Sequence, residues 1–150
     1  MRAAFPVLSD ELLEVIRIEH GVPRWGAELG GDVLPPEAGL DRTHIDFNKG
    51  CYIGQEVISR IKSVGRVNRG MRGFVADKSA TLAPSARIVA AADPEKELGH
   101  LTSSTLSFAL DRPIALGYLR RGAPETDLLA IIDGSGTKVP VSLHPLPFVP

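Results

Sequence analysis

The chain has 150 residues, 43% of them hydrophobic, and a formal net charge of −1 at pH 7. This length fits one ordinary domain or two small ones, and the balanced charge carries no strong nucleic-acid or membrane-surface signal. No apolar run approaches the roughly 20 residues that cross a bilayer, and the first six residues are too short for a secretory signal, so we expect a cytoplasmic protein. One cysteine and scattered histidines argue against an internal disulfide, a self-contained iron–sulfur cluster or a resident metal.

The first predicted element is a helix from about Asp10 to His20. Ser9 is a suitable N-cap, the acidic residues that follow it suit the positive end of the helix dipole, and Gly21 stops the helix. One arc of this helix carries Leu8, Leu12, Val15 and Ile16. Glu19 lies inside that arc and in the last turn, where the dipole disfavours a carboxylate, and such rule-breaking is typical of functional sites. The alternative is a helix-end glutamate that reaches Arg24 or solvent.

Residues 26–49 are predicted to form a long loop, and a short helix is predicted from Gln55 to Ile61. Cys51 lies between them, with Lys49 before it and glycines on both sides. A nearby cation, an open backbone and the start of a helix all favour the thiolate. Cys51 and Lys49 are therefore the candidates for the reacting groups. The alternatives are a semi-buried packing cysteine and a solvated lysine.

The remainder of the chain is predicted to form short strands separated by turns, as in a small antiparallel barrel or sandwich. The predicted strands are 73–76, 86–90, 114–119, 128–132 and 138–143. Asp133-Gly134 is a hairpin-type turn between the last two. Residues 99–105 are predicted to be an edge strand whose hydroxyl side chains face solvent.

Four segments together resemble one family. The motif Lys49-Gly50-Cys51-Tyr52-Ile53-Gly54-Gln55-Glu56, the stretches 17–26 and 34–40, and the strand 113–119 are all similar to the YgfZ family, folate-binding relatives of the glycine-cleavage T protein that maintain iron–sulfur enzymes. The resemblance implies an α+β fold. Residues 1–66 would be the C-terminal part of a T-protein-like folate-binding domain, and residues 67–150 a small antiparallel β-barrel.

The resemblance also implies roles for single residues. The glutamate that matches Glu19 hydrogen-bonds the pterin ring of tetrahydrofolate in the T-protein relatives, and a carboxylate can accept two such donors side by side. Trp25 would offer the pterin a flat apolar surface, although a tryptophan is also a common packing residue. A basic run could meet a polyglutamate tail or an RNA phosphate, or be merely solvated. It comprises Lys62, Arg66, Arg69 and Arg72.

The predicted function is that of a folate-binding accessory protein that supports iron–sulfur cluster assembly or repair, with tetrahydrofolate as cofactor and client or assembly proteins as partners. One alternative is a tetrahydrofolate-dependent aminomethyltransferase, for which Asp46 is the nearby carboxylate. Another is a truncated protein-interaction module without folate binding. Because the first helix is apolar on most of its circumference, we also expect self-association or a further covering portion.

Overall fold

The computed structural model describes residues 7–63, 67–132 and 134–150. Two helices and a 3-10 turn precede six strands, which confirms the expected α+β fold with a small antiparallel barrel. The helical elements are α1 (Asp10–Glu19), the 3-10 turn (Leu40–Arg42) and α2 (Gln55–Ser63). The strands are β1 (Arg69–Ala76), β2 (Arg87–Ala90), β3 (Asp93–Ser107), β4 (Arg112–Arg120), β5 (Leu128–Ile132) and β6 (Thr137–His144).

The six strands close into a barrel in the order β1-β4-β3-β2-β5-β6, and every neighbouring pair is antiparallel. Closure comes from β6, which pairs back on β1 from Gly73 opposite His144 onward. The turn between β5 and β6 follows the hairpin prediction at Gly134, whose φ is 90°, while Asp133 lies outside the described residues.

The edge-strand prediction for residues 99–105 is wrong. These residues form the middle of β3, a 15-residue strand paired with β2 on one side and β4 on the other. The hydroxyl side chains are also not a solvated face, because Ser103 is buried and Thr102 and Ser104 are half-buried. Because the barrel is closed, β3 is not an edge strand, although its pairing with β2 ends at His100 and residues beyond Leu101 pair with β4. The helix α1 and its following loop cover the outer face of the strand.

The barrel wall has one apolar cluster on its inner side and another on its outer side. The interior is filled from all six strands, with Phe74, Ile88 and Leu101 among its fully buried members. The second cluster lies outside the wall, where Ile18 of α1 packs with the C-terminal Phe148. Because β4 contributes to both clusters, it is buried from Pro113 to Leu119, which explains why its sequence is continuously apolar rather than alternating.

The helix α1 begins and ends as predicted but turns a different face to the barrel. The Ser9 side chain accepts a hydrogen bond from the Leu12 backbone N–H, and Gly21 ends the helix with φ 63°. The buried residues are Val15, Ile18 and Glu19, whereas Leu8 and Ile16 of the predicted apolar arc are exposed. The helix is rotated towards Ile18 because that side chain enters the outer apolar cluster.

The long segment after α1 is held to the barrel by Glu37. Its carboxylate accepts a hydrogen bond from Arg69 Nε at 3.1 Å, and its backbone carbonyl accepts one from the Met71 N–H at 2.8 Å. The loop prediction for residues 26–49 holds except for the single 3-10 turn, and the predicted short helix is confirmed as α2. These contacts fix the loop beside β1.

Burial of the Tyr118 hydroxyl should lower the stability of the protein at alkaline pH. The residue is 2% exposed and its hydroxyl donates a hydrogen bond to the Glu28 carbonyl at 2.9 Å. Burial raises the pKa of Tyr118 from 10.0 to about 12. As pH rises, Tyr118 therefore loses its proton in the unfolded chain before it does in the folded one. Its contribution to stability is present below pH 10 and lost as pH rises to about 12.

We expect Tyr118→Phe to lower the free energy of unfolding by about 1 kcal/mol at neutral pH and to make that free energy fall less steeply above pH 10, as measured by urea unfolding at several pH values. An unchanged alkaline slope would contradict the prediction.

Candidate functional site

Glu19 is a buried carboxylate that joins α1 to the barrel. Its Oε1 accepts a hydrogen bond from Ser107 Oγ at 2.6 Å and another from the Ala109 backbone N–H at 3.1 Å, while its carbonyl accepts one from the Phe148 N–H at 2.8 Å. The residue is 8% exposed. The helix-end alternative, in which Glu19 reaches Arg24 or solvent, is therefore wrong. The carboxylate has a structural task whether or not it also contacts a ligand.

The ionisation of Glu19 follows from these contacts. Burial of the carboxylate raises its pKa, but the hydrogen bonds from Ser107 and from the backbone at Ala109 outweigh burial, and the pKa of Glu19 is lowered overall. The side chain is thus charged at neutral pH. Its stabilising contribution is present above the ordinary pKa of 4.5 and is lost as the pH falls through the lower value of the folded state.

A buried ion pair joins Arg17 of α1 to Glu28 of the following loop and was not predicted from the sequence. Arg17 Nη1 lies 2.9 Å from Glu28 Oε2, and the Glu28 side chain has no exposed surface. The other Glu28 oxygen accepts hydrogen bonds from Thr102 and Ser103, at 2.8 and 2.6 Å. Arg17 also pairs with Glu14 at 2.7 Å. The Arg17–Glu14 spacing of three residues was visible in the sequence, but no local pattern pointed to Glu28.

Trp25 lies on the loop that this ion pair anchors. The Arg24 backbone N–H donates to Glu28 at 3.1 Å, and Trp25 itself bridges to Leu29. Trp25 is 73% exposed, so it is not a packing residue of the part of the chain that is described. The loop presents a large apolar ring to its surroundings.

The motif around Cys51 is also presented outward. Cys51 is exposed, which excludes the semi-buried packing alternative, and the neighbouring Ile53 is fully exposed. The Lys49 ammonium lies 4.6 Å from the centre of the Tyr52 ring, a cation–π contact. Gly54 has φ 88°, a conformation suited to glycine, and α2 begins at the next residue. The segment offers a thiol, a cation and apolar surface together.

The four predicted site residues line neither of two surface grooves of the described structure. These residues are Glu19, Trp25, Lys49 and Cys51, and the grooves have volumes of about 820 and 420 Å³. The predicted basic run is divided. Arg69 forms an ion pair with Glu37, whereas Arg66 and the Lys62 side chain lie outside the described residues.

Within the described ranges, no three or more histidine, cysteine or acidic side chains cluster as they would around a metal ion, and no helix is long and apolar enough to span a membrane.

Residues 69–150, from the first residue of β1 to the end of the chain, match the family described as "Glycine cleavage T-protein C-terminal barrel domain". This match covers more than half of the 150 residues. The chain belongs to this glycine cleavage T-protein family. The shared part includes all six strands of the barrel, so the family assignment and the observed fold agree.

Curated relatives extend the similarity to the region before the barrel. The T-protein-like chain is 33% identical over 113 residues to an aminomethyltransferase of Moorella thermoacetica, a match that spans 75% of this chain and 30% of the relative. An aminomethyltransferase of Streptomyces coelicolor is 31% identical over 140 residues, which spans 90% of this chain and 36% of the relative. The chain thus spans about a third of the length of these relatives.

Two further similarities are a shorter sequence match to a protein with another name and a match to a solved structure. The "Iron-sulfur cluster assembly factor IBA57 homolog, mitochondrial" of Phaeosphaeria nodorum is 42% identical over 64 residues, which is 41% of this chain and 16% of that protein. The crystal structure of glycine cleavage system aminomethyltransferase T from Bartonella henselae superimposes with a TM-score of 0.77 at 23% identity, covering 91% of this chain and 37% of that one. The structural match shows the fold.

Proposed function

We propose that this T-protein-like chain is a folate-binding accessory protein of the YgfZ type that supports iron–sulfur cluster assembly or repair in client enzymes. The observation that carries the proposal is the exposed Cys51 on the segment Lys49–Glu56. A thiol with a lysine nearby and exposed apolar neighbours is suited to contact a client protein or its cluster. The 42% identity over 64 residues to a protein named an iron–sulfur cluster assembly factor supports this role.

The described residues fit tetrahydrofolate only in part. Glu19 is charged at neutral pH and suits the paired donors of a pterin, but its Oε1 already accepts two hydrogen bonds and the residue is 8% exposed. Trp25 is exposed on the loop that follows α1 and lines neither groove. We therefore propose that Glu19 and Trp25 form part of a folate site that these residues do not complete by themselves.

The second candidate function is a protein-interaction module without folate binding. Two observations favour it: Glu19, Trp25 and Cys51 line neither groove, and Leu13, Ile16 and Ile53 are exposed apolar residues. Self-association or cover by a further portion through this surface stays a prediction. The division into domains at residues 66 and 67 and the cytoplasmic location stay predictions as well.

Cys51→Ser should abolish the accessory activity without unfolding the chain. The assay is the rate at which an inactivated [4Fe–4S] dehydratase regains activity with iron, sulfide and thiol reductant, in the presence and absence of the chain. We expect the wild-type chain to accelerate recovery and Cys51→Ser to remove the acceleration, because the thiol is the proposed contact. Lys49→Gln should reduce the acceleration, whereas Lys138→Gln, an exposed lysine on β6, is the matched control and should not. Equal acceleration by wild type and Cys51→Ser would refute the role of the thiol.

A further inference from the structure

The last carbonyl of α1 receives its hydrogen bond from the other end of the chain. Gly21, with φ 63°, closes the helix: its N–H donates to the Ile18 carbonyl at 2.9 Å, and the next N–H donates to the Arg17 carbonyl at 3.0 Å. In the described part of the chain, this closure leaves the Glu19 carbonyl without a donor from the helix end. The Phe148 N–H donates to it at 2.8 Å.

Residues 145–150, which we call the C-terminal strap, are anchored in the outer apolar cluster. Phe148 is 5% exposed and packs with Ile18 of α1 and with side chains of β1 and β4, and Leu146 packs against the same cluster. A Cβ atom at Gly73 of β1 would lie 2.7 Å from Phe148 Cζ, so the ring occupies space that only a glycine leaves open. The strap thus connects the barrel to the last turn of α1.

Glu19 is held from two sides, its backbone by the strap and its carboxylate by the turn between β3 and β4. Ser107 Oγ and the Ala109 N–H donate to Glu19 Oε1 at 2.6 and 3.1 Å. These contacts require the last turn of α1 to stay beside the β3–β4 turn. Groups that bind a ligand must be held to within about 0.5 Å, so a small shift of the helix end would misplace the carboxylate.

We propose that Phe148 is a positioning residue of the folate site, which fixes the backbone of Glu19 and thereby the place of the carboxylate that meets the pterin. The inference rests on the proposed function, because it concerns the site proposed around Glu19. Phe148 itself offers almost no surface to a ligand. It acts through Glu19, and its anchor in the outer apolar cluster supplies the rigidity.

A strap that merely stabilised the fold would leave the ionisation of Glu19 unchanged when it is weakened. Although burial raises the pKa of Glu19, hydrogen bonds from Ser107 and from the backbone of the β3–β4 turn lower it overall, together with the charge of His20. A helix end released from the strap would lose both the burial and these hydrogen bonds. The pKa of Glu19 would then rise towards the ordinary value of 4.5.

The test compares Phe148→Ala and Phe148→Leu with Leu128→Ala, the matched loss of a side chain inside the barrel, where Leu128 is 1% exposed. NMR titration of the Glu19 carboxyl carbon in the ligand-free full chain gives its pKa, and calorimetry gives the affinity for tetrahydrofolate. In Phe148→Ala we expect the pKa of Glu19 to rise towards 4.5 and the affinity to fall at least fivefold. Phe148→Leu keeps an apolar anchor and should restore most of both, and Leu128→Ala should change neither.

The proposal is overturned if Phe148→Ala leaves either the pKa of Glu19 or the affinity of a binding wild type unchanged, or if Leu128→Ala changes them equally. If the wild type binds no tetrahydrofolate, the proposed function fails, whereas the pKa still decides whether Phe148 positions Glu19. Circular dichroism at each pH monitors folding. If Phe148→Ala does not fold, Leu146→Ala, which removes a half-buried side chain of the strap, carries the comparison with Leu128→Ala.

Discussion

Replacing Arg17 by methionine should lower the free energy of unfolding by about 3–5 kcal/mol, because it leaves a buried charge without its cation. The Glu28 side chain has no exposed surface, and Arg17 is its ion-pair partner in the described structure at 2.9 Å. Arg17→Met also removes hydrogen bonds to Val22 and Ser103, at 2.6 and 2.8 Å. Urea unfolding followed by circular dichroism measures the loss.

The matched control is Arg60→Met, in which the ion pair with Glu56 is exposed on α2. It should cost no more than about 0.5 kcal/mol, as for other exposed pairs at this helical spacing. The double variant Arg17→Met/Glu28→Gln should be more stable than Arg17→Met alone, since it removes the unpaired charge. A loss below about 1 kcal/mol in Arg17→Met, or no recovery in the double variant, would show that Glu28 does not depend on Arg17 as its ion-pair partner.

Gly99→Ala should destabilise the barrel by about 3 kcal/mol, because β3 and β4 approach too closely at this residue for a side chain. A Cβ atom at Gly99 would lie 1.9 Å from the Tyr118 carbonyl oxygen and 3.0 Å from the Leu119 Cα. Both are backbone atoms, so no change of side-chain rotamer relieves the overlap, and the strands must move apart. The midpoint of urea or thermal unfolding reports the effect.

Gly31→Ala is the control for this substitution. No heavy atom lies within 4 Å of the position that the added methyl group would take, and the φ of Gly31 is not positive, so the stability of this variant should stay within about 0.5 kcal/mol of the wild type. If Gly99→Ala were equally mild, the close crossing of β3 and β4 would not exist in solution.

The barrel was largely predictable because most of its strands are short apolar runs between turn residues. The exception in length is β1, which begins at Arg69, four residues before the predicted start at Gly73. β3 was not predictable, since Thr102 and Ser103 resemble an exposed polar strand until Glu28 covers them. Glu28 is 74 residues from Thr102 and 75 from Ser103 in the sequence, so no local pattern connects them.

The sequence indicated which side chains of the candidate site carry reactive or charged groups, but not which residues they contact. The helix pattern marked Glu19 as a misplaced carboxylate, and burial among hydrogen-bond donors explains why a charge is tolerated there. Its partner Ser107 is 88 residues away, and only the closed barrel brings the two together. The exposure of Cys51 agrees with its glycine-rich setting, whereas the contact of Glu37 with Arg69, 32 residues away, could not be read from the sequence.

The central claim, that the chain binds folate through Glu19, is tested most directly by calorimetric titration with tetrahydrofolate. Ser107→Ala is the matched control because it removes a hydrogen bond to Glu19 and keeps the carboxylate, whereas Glu19→Gln keeps an acceptor oxygen and removes the charge. Both Ser107→Ala and Glu19→Gln should lower stability by about 1–2 kcal/mol. We expect saturable binding by the wild type and by Ser107→Ala, and about 10- to 100-fold weaker binding by Glu19→Gln, as for lost charge-assisted hydrogen bonds. No binding by the folded wild-type chain, or equal affinity in Glu19→Gln, would contradict the account.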